Sequence, residues 1–200
     1  MLNYTHAIAV VAAYLLAAFP TAFVVGKLRN IDITKHGSGN IGGTNAMRVM
    51  GVGPGVVVMA VDVLKAALPT YVAAHFLQLT LWQVLTVAAA AIIGHNWSVY
   101  ISFRGGKGIA CTIGVCAVLF PEVLLAGLGV FALVVAISKY VSLGSLCFMA
   151  SMVGVLWLWR YDAAYVWFAL FLLVVGSQRH RSNIARLIAG TENKVGKKKQ

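Results

Sequence analysis

Long runs of apolar residues dominate this sequence and limit the folds that it can adopt. Most of them approach the ~20 residues that a helix needs to cross a bilayer. The runs are residues 6–26, 52–77, 81–100, 141–159 and 163–176. They are apolar on both alternating faces, unlike the strands of a membrane β-barrel. Because unpaired backbone amides are costly in lipid, the runs predict an all-α integral membrane protein.

The composition excludes several other classes of protein. Hydrophobic residues make up 60% of the 200 residues and charged residues only 10%, whereas soluble domains carry about 25% charged residues. This excludes a soluble domain and a nucleic-acid-binding module. The three cysteines, Cys111, Cys116 and Cys147, lie in apolar runs, which predicts no disulfide framework. The first run is longer than a signal-peptide core and has no basic residue before it, so we expect it to be retained.

Charge distribution decides between two membrane topologies. Residues 108–138 are too long for one unkinked crossing, and Pro121 lies at their middle, where we expect a turn. If this stretch crosses twice and the amino terminus is outside, every lysine and arginine except Lys65 and Arg160 reaches one side. The positive-inside rule favours that arrangement. We therefore expect seven transmembrane helices in a single domain spanning residues 1–200, with the carboxyl terminus in the cytoplasm.

Three polar segments then share the cytoplasmic face, and residues 36–48 form the first of them. Its glycines allow a close approach of the backbone to a ligand, and they are Gly37, Gly39, Gly42 and Gly43. Its side-chain donors are Ser38, Asn40, Thr44, Asn45 and the guanidinium of Arg48, which suits phosphate oxygens. Such a density of donors predicts an anion-binding loop. A plain polar hairpin between two helices would also use Gly, Ser and Asn.

Residues 103–108, Phe-Arg-Gly-Gly-Lys-Gly, form the second segment and lead directly into an apolar run. Helix amino termini favour phosphate, and Arg104 and Lys107 flank the glycines Gly105 and Gly106. The spacing is not that of a Walker A loop. Two basic residues that obey the positive-inside rule at the interface are an equally simple interpretation.

Residues 180–192 form the third segment. His180, Asn183 and Arg186 fall on one face of a predicted short interfacial helix. A histidine at such a place is often only a satisfied surface group. The basic tail, residues 194–200, predicts attraction to anionic membrane lipids.

Together the three segments carry many cations and few carboxylates. The cations are Arg48, Arg104, Lys107, Arg179, Arg181 and Arg186, against Asp32 and Glu192. This excess argues against a carboxylate metal site and predicts that phosphate groups bind there without a metal. The bilayer adds a second expectation, a lipid-like tail lodged between helices.

Two further features leave alternatives open. Asp62 and Lys65 lie one turn apart near the middle of the second run, where they are either functional charges or a pair that neutralises itself. We interpret His95 as a packing residue.

The alternative function is a membrane transporter or channel for a phosphorylated anion. That function predicts repeated halves and more polar groups near the middle of the membrane.

The three segments resemble those of the bacterial acyl-phosphate:glycerol-3-phosphate acyltransferases. The matching patterns are Ser-Gly-Asn-Ile-Gly-Gly-Thr-Asn-x-x-Arg, Gly-His followed by Phe-Arg-Gly-Gly-Lys-Gly, and His-x-x-Asn-Ile-x-Arg-Leu-x-x-Gly-x-Glu-x-Lys. The resemblance implies a seven-helix enzyme of the bacterial inner membrane with its active site at the cytoplasmic face. It also implies transfer of a fatty acyl group from acyl phosphate to glycerol 3-phosphate, giving lysophosphatidic acid and phosphate without coenzyme A.

The resemblance also implies the roles of individual residues. The implied substrate ligands are Ser38, Gly39, Asn40, Gly42, Gly43, Thr44, Asn45, Arg48, Arg104, Gly105, Gly106, Lys107, His180, Asn183, Arg186 and Glu192. Gly43, Arg104 and Cys111 depart from the residues common in that family. We expect direct attack on the acyl phosphate without a covalent acyl-enzyme, a cofactor or a metal. Lys107 and Asn183 are the expected catalytic residues with His180, which serves either as a phosphate ligand or as a general base.

Overall fold

The computed structural model describes residues 4–195, in which every regular element is helical apart from one isolated β-bridge between Ser98 and Arg104. The prediction of an all-α fold is confirmed. The chain folds into two compact units, the first ending at Leu119 and the second beginning at Phe120. The helices of the first unit are α1 (Tyr4–Ala18), α2 (Thr21–Leu28), α3 (Gly43–Met50), α4 (Val52–His75), α5 (Leu81–Asn96) and α6 (Ile109–Leu119). Those of the second unit are α7 (Pro121–Ser138), α8 (Val141–Leu158), α9 (Ala163–Arg179) and α10 (Arg181–Ile188).

Seven of the helical stretches are apolar. Four are long and apolar enough to cross a membrane, namely Tyr4–Leu28, Val52–His75, Pro121–Ser138 and Val141–Leu158. Three shorter apolar helices are Leu81–Asn96, Ile109–Leu119 and Ala163–Arg179. These stretches coincide with the apolar runs of the sequence, because burial in lipid and formation of a helix both require continuous apolar residues.

Close helix packing in the first unit depends on glycines. Gly94 of α5 lies against the backbone of α1, where a Cβ atom would overlap the carbonyl oxygen of Tyr14. Gly114 of α6 lies in the same way against the carbonyl oxygen of Val63 in α4. Small residues let helices in membranes approach closely, and van der Waals contacts between the helices are stronger at this short distance. The pairs α1–α5 and α4–α6 are therefore in backbone contact.

The first apolar run requires a correction. We expected one helix over residues 6–26, but α1 ends at Ala18 and α2 begins at Thr21. Pro20 lacks an amide hydrogen and its ring would clash with the preceding turn, so the helix breaks there. The carbonyl oxygens released by the break are satisfied from elsewhere in the unit. Ser98 Oγ donates to Ala18 O at 2.5 Å, and Lys65 Nζ donates to Phe19 O at 2.7 Å.

The turn expected within residues 108–138 is confirmed. Helix α6 ends at Leu119, and Pro121 is the first residue of α7. Proline is favourable at this position because it needs no amide partner in the first turn. Only the first of the two helices is short, since α6 has 11 residues and α7 has 18.

Asp62 and Lys65 of α4 form a buried ion pair, with 2.8 Å between Lys65 Nζ and Asp62 Oδ1. Thr21 Oγ1 donates to the same carboxylate oxygen at 2.9 Å. The two residues are only 2% and 7% exposed. Of the two alternatives, the geometry matches the pair that neutralises itself. The pair also stabilises the helix break, because Lys65 serves both Asp62 and the carbonyl oxygen of Phe19.

Glu192 organises the end of the second unit. Its Oε1 atom accepts hydrogen bonds from Asn183 Nδ2 at 2.8 Å and from Ser142 Oγ at 3.2 Å. Its Oε2 atom lies 2.7 Å from Arg186 Nε. The predicted helix after His180 is present as α10, and Glu192 connects that helix to the start of α8.

The buried ion pair leads to a stability prediction. Asp62→Asn leaves the Lys65 ammonium buried without its counter-charge, so we expect a loss of about 3–5 kcal/mol in the free energy of unfolding. Asp62→Leu combined with Lys65→Met removes both charges and is expected to lose much less. Denaturant unfolding in detergent micelles measures both variants, and equal losses would contradict the prediction.

A second prediction concerns Glu192. Glutamine at this position cannot accept hydrogen bonds at both of its terminal atoms, so Glu192→Gln leaves Arg186 or Asn183 without its partner. We expect a loss of roughly 1–3 kcal/mol in stability. Glu122→Gln is the matched control, because Glu122 is exposed and accepts a long hydrogen bond of 3.3 Å from Tyr161. Thermal unfolding should separate the two variants, and an unchanged midpoint for Glu192→Gln would refute this role.

Candidate functional site

The first segment is a folded loop that leads into a helix, α3, which the sequence did not predict. Asn45 lies in the first turn of this helix, α3, and is only 1% exposed. Its Oδ1 atom accepts from the amide of Ser38 at 2.9 Å. Its Nδ2 atom donates to the carbonyl oxygens of His36 and Asn40, both at 3.1 Å. The side chain of Asn45 therefore determines the shape of the loop.

A short turn fixes the beginning of this loop. Asp32 Oδ1 accepts hydrogen bonds from the hydroxyl and the amide of Thr34, at 2.6 and 3.1 Å. The hydroxyl contact, supported by the nearby lysines, lowers the pKa of the Asp32 carboxyl. The folded form therefore gains stability from these contacts above the normal pKa, and loses it as the pH falls through the lowered value.

The donors of this loop remain accessible around the buried Asn45. The side chains of Ser38, Thr44 and Arg48 are exposed, and Asn40 is half-buried. Gly39 has a φ of +70°, a conformation that glycine adopts without strain. Gly43 is required by packing, because a Cβ atom there would overlap the side chain of Met59. The loop thus presents hydroxyl and guanidinium groups on a rigid base.

The second segment folds back against the end of α5. Phe103 N donates to Ser98 O at 2.8 Å, and Gly106 N donates to His95 O at 3.1 Å. Gly108 has a φ of +82° and immediately precedes α6. Arg104 is exposed and Lys107 is half-buried. The first amides of a helix have no partner within it, so this end of α6 combines two cations with a favourable place for an anion.

These two segments meet in the first unit. One small pocket is lined by Ile41 of the first segment and by Gly105 and Gly106 of the second. Its wall also includes Asp62, Lys65 and His95. These last three residues were not among the site residues predicted from the sequence. The signal available in the sequence was a pair of charges within an apolar run.

The third segment forms its own cluster in the second unit. His180 is 2% exposed, and its Nδ1 atom lies 2.8 Å from the carbonyl oxygen of Gly176. Because a carbonyl only accepts, Nδ1 carries a proton in this contact. Asn183 and Arg186 are held by Glu192, as described above. The structure therefore brings Asn183, Arg186 and Glu192 into direct contact, with His180 at the start of the same helix.

Glu192 and Asn45 use their polar atoms to hold other residues of the predicted site in place. Their roles as direct substrate ligands remain predictions.

In the basic tail, Lys194 lies 5.3 Å from the centre of the Tyr140 ring. Lys197, Lys198 and Lys199 lie outside the described residues.

Sequence and structure comparisons identify the family. A sequence model described as glycerol-3-phosphate acyltransferase matches residues 7–190. The chain is 45% identical to the glycerol-3-phosphate acyltransferase of Halalkalibacterium halodurans, with 96% of each chain covered. It is 43% identical to that of Shouchella clausii, with 94% of this chain and 95% of the relative covered.

Solved structures agree with the sequence relatives. The crystal structure of PlsY (YgiH), an integral membrane glycerol 3-phosphate acyltransferase in its glycerol 3-phosphate form, matches with a TM-score of 0.92. The identity is 32%, and 96% of each chain is covered. The lysophosphatidic acid form of that protein matches with a TM-score of 0.89. The resemblance of the three segments is thus confirmed, and the chain is an integral membrane acyltransferase that belongs to the glycerol-3-phosphate acyltransferase family.

Proposed function

We propose that this protein transfers a fatty acyl group from acyl phosphate to glycerol 3-phosphate, giving lysophosphatidic acid and inorganic phosphate. Membership of the family supports glycerol 3-phosphate as the acceptor, and the two solved forms of the relative are named for that compound and for lysophosphatidic acid. The observation that carries the proposal is the pair of donor-rich segments meeting at one pocket of the first unit. Coenzyme A has no part in the proposed reaction.

The proposed topology has seven crossings in a single domain. The four long and three shorter apolar helices supply that number. The amino terminus is outside, the carboxyl terminus is in the cytoplasm, and the membrane is the bacterial inner membrane. The distribution of lysine and arginine supports this orientation. In this topology each of the three segments lies on the cytoplasmic side of the membrane.

The main task of the site is to bring two anionic substrates together. Two unit charges ~4 Å apart repel by about 4 kcal/mol at an effective dielectric constant near 20. Arg48, Lys107 and Arg186 offset this repulsion by binding the phosphate groups. The first amides of α6 add donors that need little reorganisation during the reaction. Asn45 holds the loop that precedes Arg48, and Glu192 holds Arg186.

The proposed chemistry is a direct displacement without a covalent acyl-enzyme, a cofactor or a metal. A hydroxyl oxygen of glycerol 3-phosphate attacks the acyl carbonyl carbon, and the bond from that carbon to the phosphate oxygen breaks. The phosphate leaves with the bonding electron pair, which a mixed anhydride allows without enzyme nucleophiles. Holding both reactants in the correct orientation supplies much of the rate enhancement.

The contact of His180 bears on the route of the proton. Its Nδ1 atom is bound to a carbonyl oxygen, that of Gly176, where a catalytic triad would have a carboxylate. A carbonyl stabilises the protonated ring less than a carboxylate does. We therefore assign His180 to phosphate binding, and a phosphate group of the substrates takes the hydroxyl proton. A general base at His180 is the alternative.

The experiment that tests the function measures the release of inorganic phosphate by purified protein in detergent. Release should require both acyl phosphate and glycerol 3-phosphate, should be matched by lysophosphatidic acid seen by mass spectrometry, and should persist in EDTA. Phosphate release without the acceptor would indicate a hydrolase. Movement of glycerol 3-phosphate into liposomes without any acylated product would favour the transporter.

Lys107→Ala removes a cation that binds phosphate in this proposal. Loss of one charged hydrogen bond of ~1.5–3 kcal/mol predicts a drop of roughly 10- to 100-fold in kcat/KM. Lys194→Ala is the control, because Lys194 is exposed and lies in the basic tail. Steady-state kinetics measures kcat/KM for both variants. If Lys107→Ala were as active as Lys194→Ala, Lys107 would be excluded from the site.

His180→Ala distinguishes the two roles of the histidine. As a phosphate ligand, its loss should raise KM, lower turnover and weaken glycerol 3-phosphate binding in calorimetry. The pH dependence of kcat should keep its shape, because no titrating base has been removed. A large drop in kcat at saturating substrate, with unchanged binding, would instead identify His180 as the general base.

A further inference from the structure

We propose that Asp62 and His95 are positioning residues that hold the turn of residues 103–108, and with it Lys107, in the place where it binds phosphate. This inference rests on the function proposed above. It assigns a role to Asp62 and His95, which take no part in the reaction itself. Lys65 is included as a third residue, because it anchors Asp62.

The ring of His95 forms the floor of the turn. His95 is 7% exposed and lies in the last turn of α5. Its carbonyl oxygen accepts the amide of Gly106 at 3.1 Å. A Cβ atom on Gly106 would overlap Nε2 of the ring, and the three atoms nearest to it all belong to that ring. Gly106 therefore rests directly on the imidazole, one residue before Lys107.

The opposite side of the ring faces Asp62. His95 Nδ1 lies 3.7 Å from Asp62 Oδ1, which is longer than a direct hydrogen bond but close enough for electrostatic attraction. A carboxylate on this side favours a proton on Nδ1 and leaves Nε2 toward the turn. Asp62 thereby selects the orientation in which the ring supports Gly106.

The carboxylate itself is held by Lys65 and Thr21. Lys65 Nζ lies 2.8 Å from Asp62 Oδ1, and the same ammonium donates to Phe19 O at the helix break. Thr21 Oγ1 donates to Asp62 from the other side of that break. Asp62 therefore cannot swing away from His95 without releasing buried polar groups, each of which is costly to leave without a partner.

The start of the turn is attached to the same break. Ser98 Oγ donates to Ala18 O at 2.5 Å, and Ser98 also pairs with Arg104 through the backbone. The turn is thus held by Ser98 at its beginning and by the ring of His95 below Gly106. Removing the ring should let the second half of the turn move while its beginning stays anchored. The expected consequence is a displaced Lys107 in a protein that is still folded.

The experiment compares glycerol 3-phosphate binding and steady-state kinetics for His95→Asn, Lys107→Ala and the double variant. Asparagine retains a polar group on the Asp62 side and removes the ring atoms under Gly106. We expect KM and the dissociation constant for glycerol 3-phosphate to rise by roughly 10-fold or more, with a smaller change in kcat. His75→Asn is the matched control, since His75 is exposed at the end of α4.

The double variant separates positioning from general stability. If His95 acts through Lys107, the His95→Asn effect on binding should nearly vanish once Lys107 is alanine. Full additivity, or wild-type binding by His95→Asn, would overturn the inference. Wild-type acyl transfer is measured in parallel, so that a failure of the proposed function is seen separately from a failure of this role.

A second variant covers the case in which His95→Asn does not fold. Gly106→Ala leaves the α4–α5 cluster intact and pushes the turn away from the ring. It should therefore produce the same rise in the dissociation constant for glycerol 3-phosphate. Unchanged binding by a folded Gly106→Ala variant would show that contact with the ring does not position the turn, and would overturn the inference.

Discussion

The need to satisfy every polar group in lipid shapes the first unit of this protein. Pro20 breaks the first membrane segment and releases carbonyl oxygens, and Lys65 and Ser98 satisfy two of them. A lysine in an apolar environment needs a counter-charge, which Asp62 provides. One break in one helix thus connects α1 and α2 with α4 and with the turn that carries Lys107. The site proposed for this unit depends on that connection.

The polar residues of the three segments divide into two groups with different tasks. Residues with buried side chains, Asn45 in the first unit and Glu192 in the second, form hydrogen bonds to other parts of the protein. Other residues, such as Arg48 and Lys107, are exposed or half-buried and carry positive charges. The proposed site needs both groups, because long cationic side chains bind an anion well only on a rigid base.

Much of the fold could be predicted from the sequence, because a bilayer leaves few alternatives to a helix. The apolar runs, the interruption at Pro121 and the short helix after His180 all correspond to elements of the structure. Pro20 was a similar signal within the first run, but a proline there is also compatible with a kink. Helix α3 was missed because it begins at Gly43, directly after Gly42, and glycine is a poor helix former.

The sequence by itself determined the membrane class, the chemical character of the three segments and the family that they resemble. These follow from local properties: hydropathy, the residue types in a motif and their order. Only the tertiary structure decided which polar residues stay exposed and which bind and hold other residues. Asn45 and Asn183 have the same side chain, yet the first is enclosed by its own loop and the second is bound by Glu192. That difference arises from contacts between residues distant in sequence, which no local pattern records.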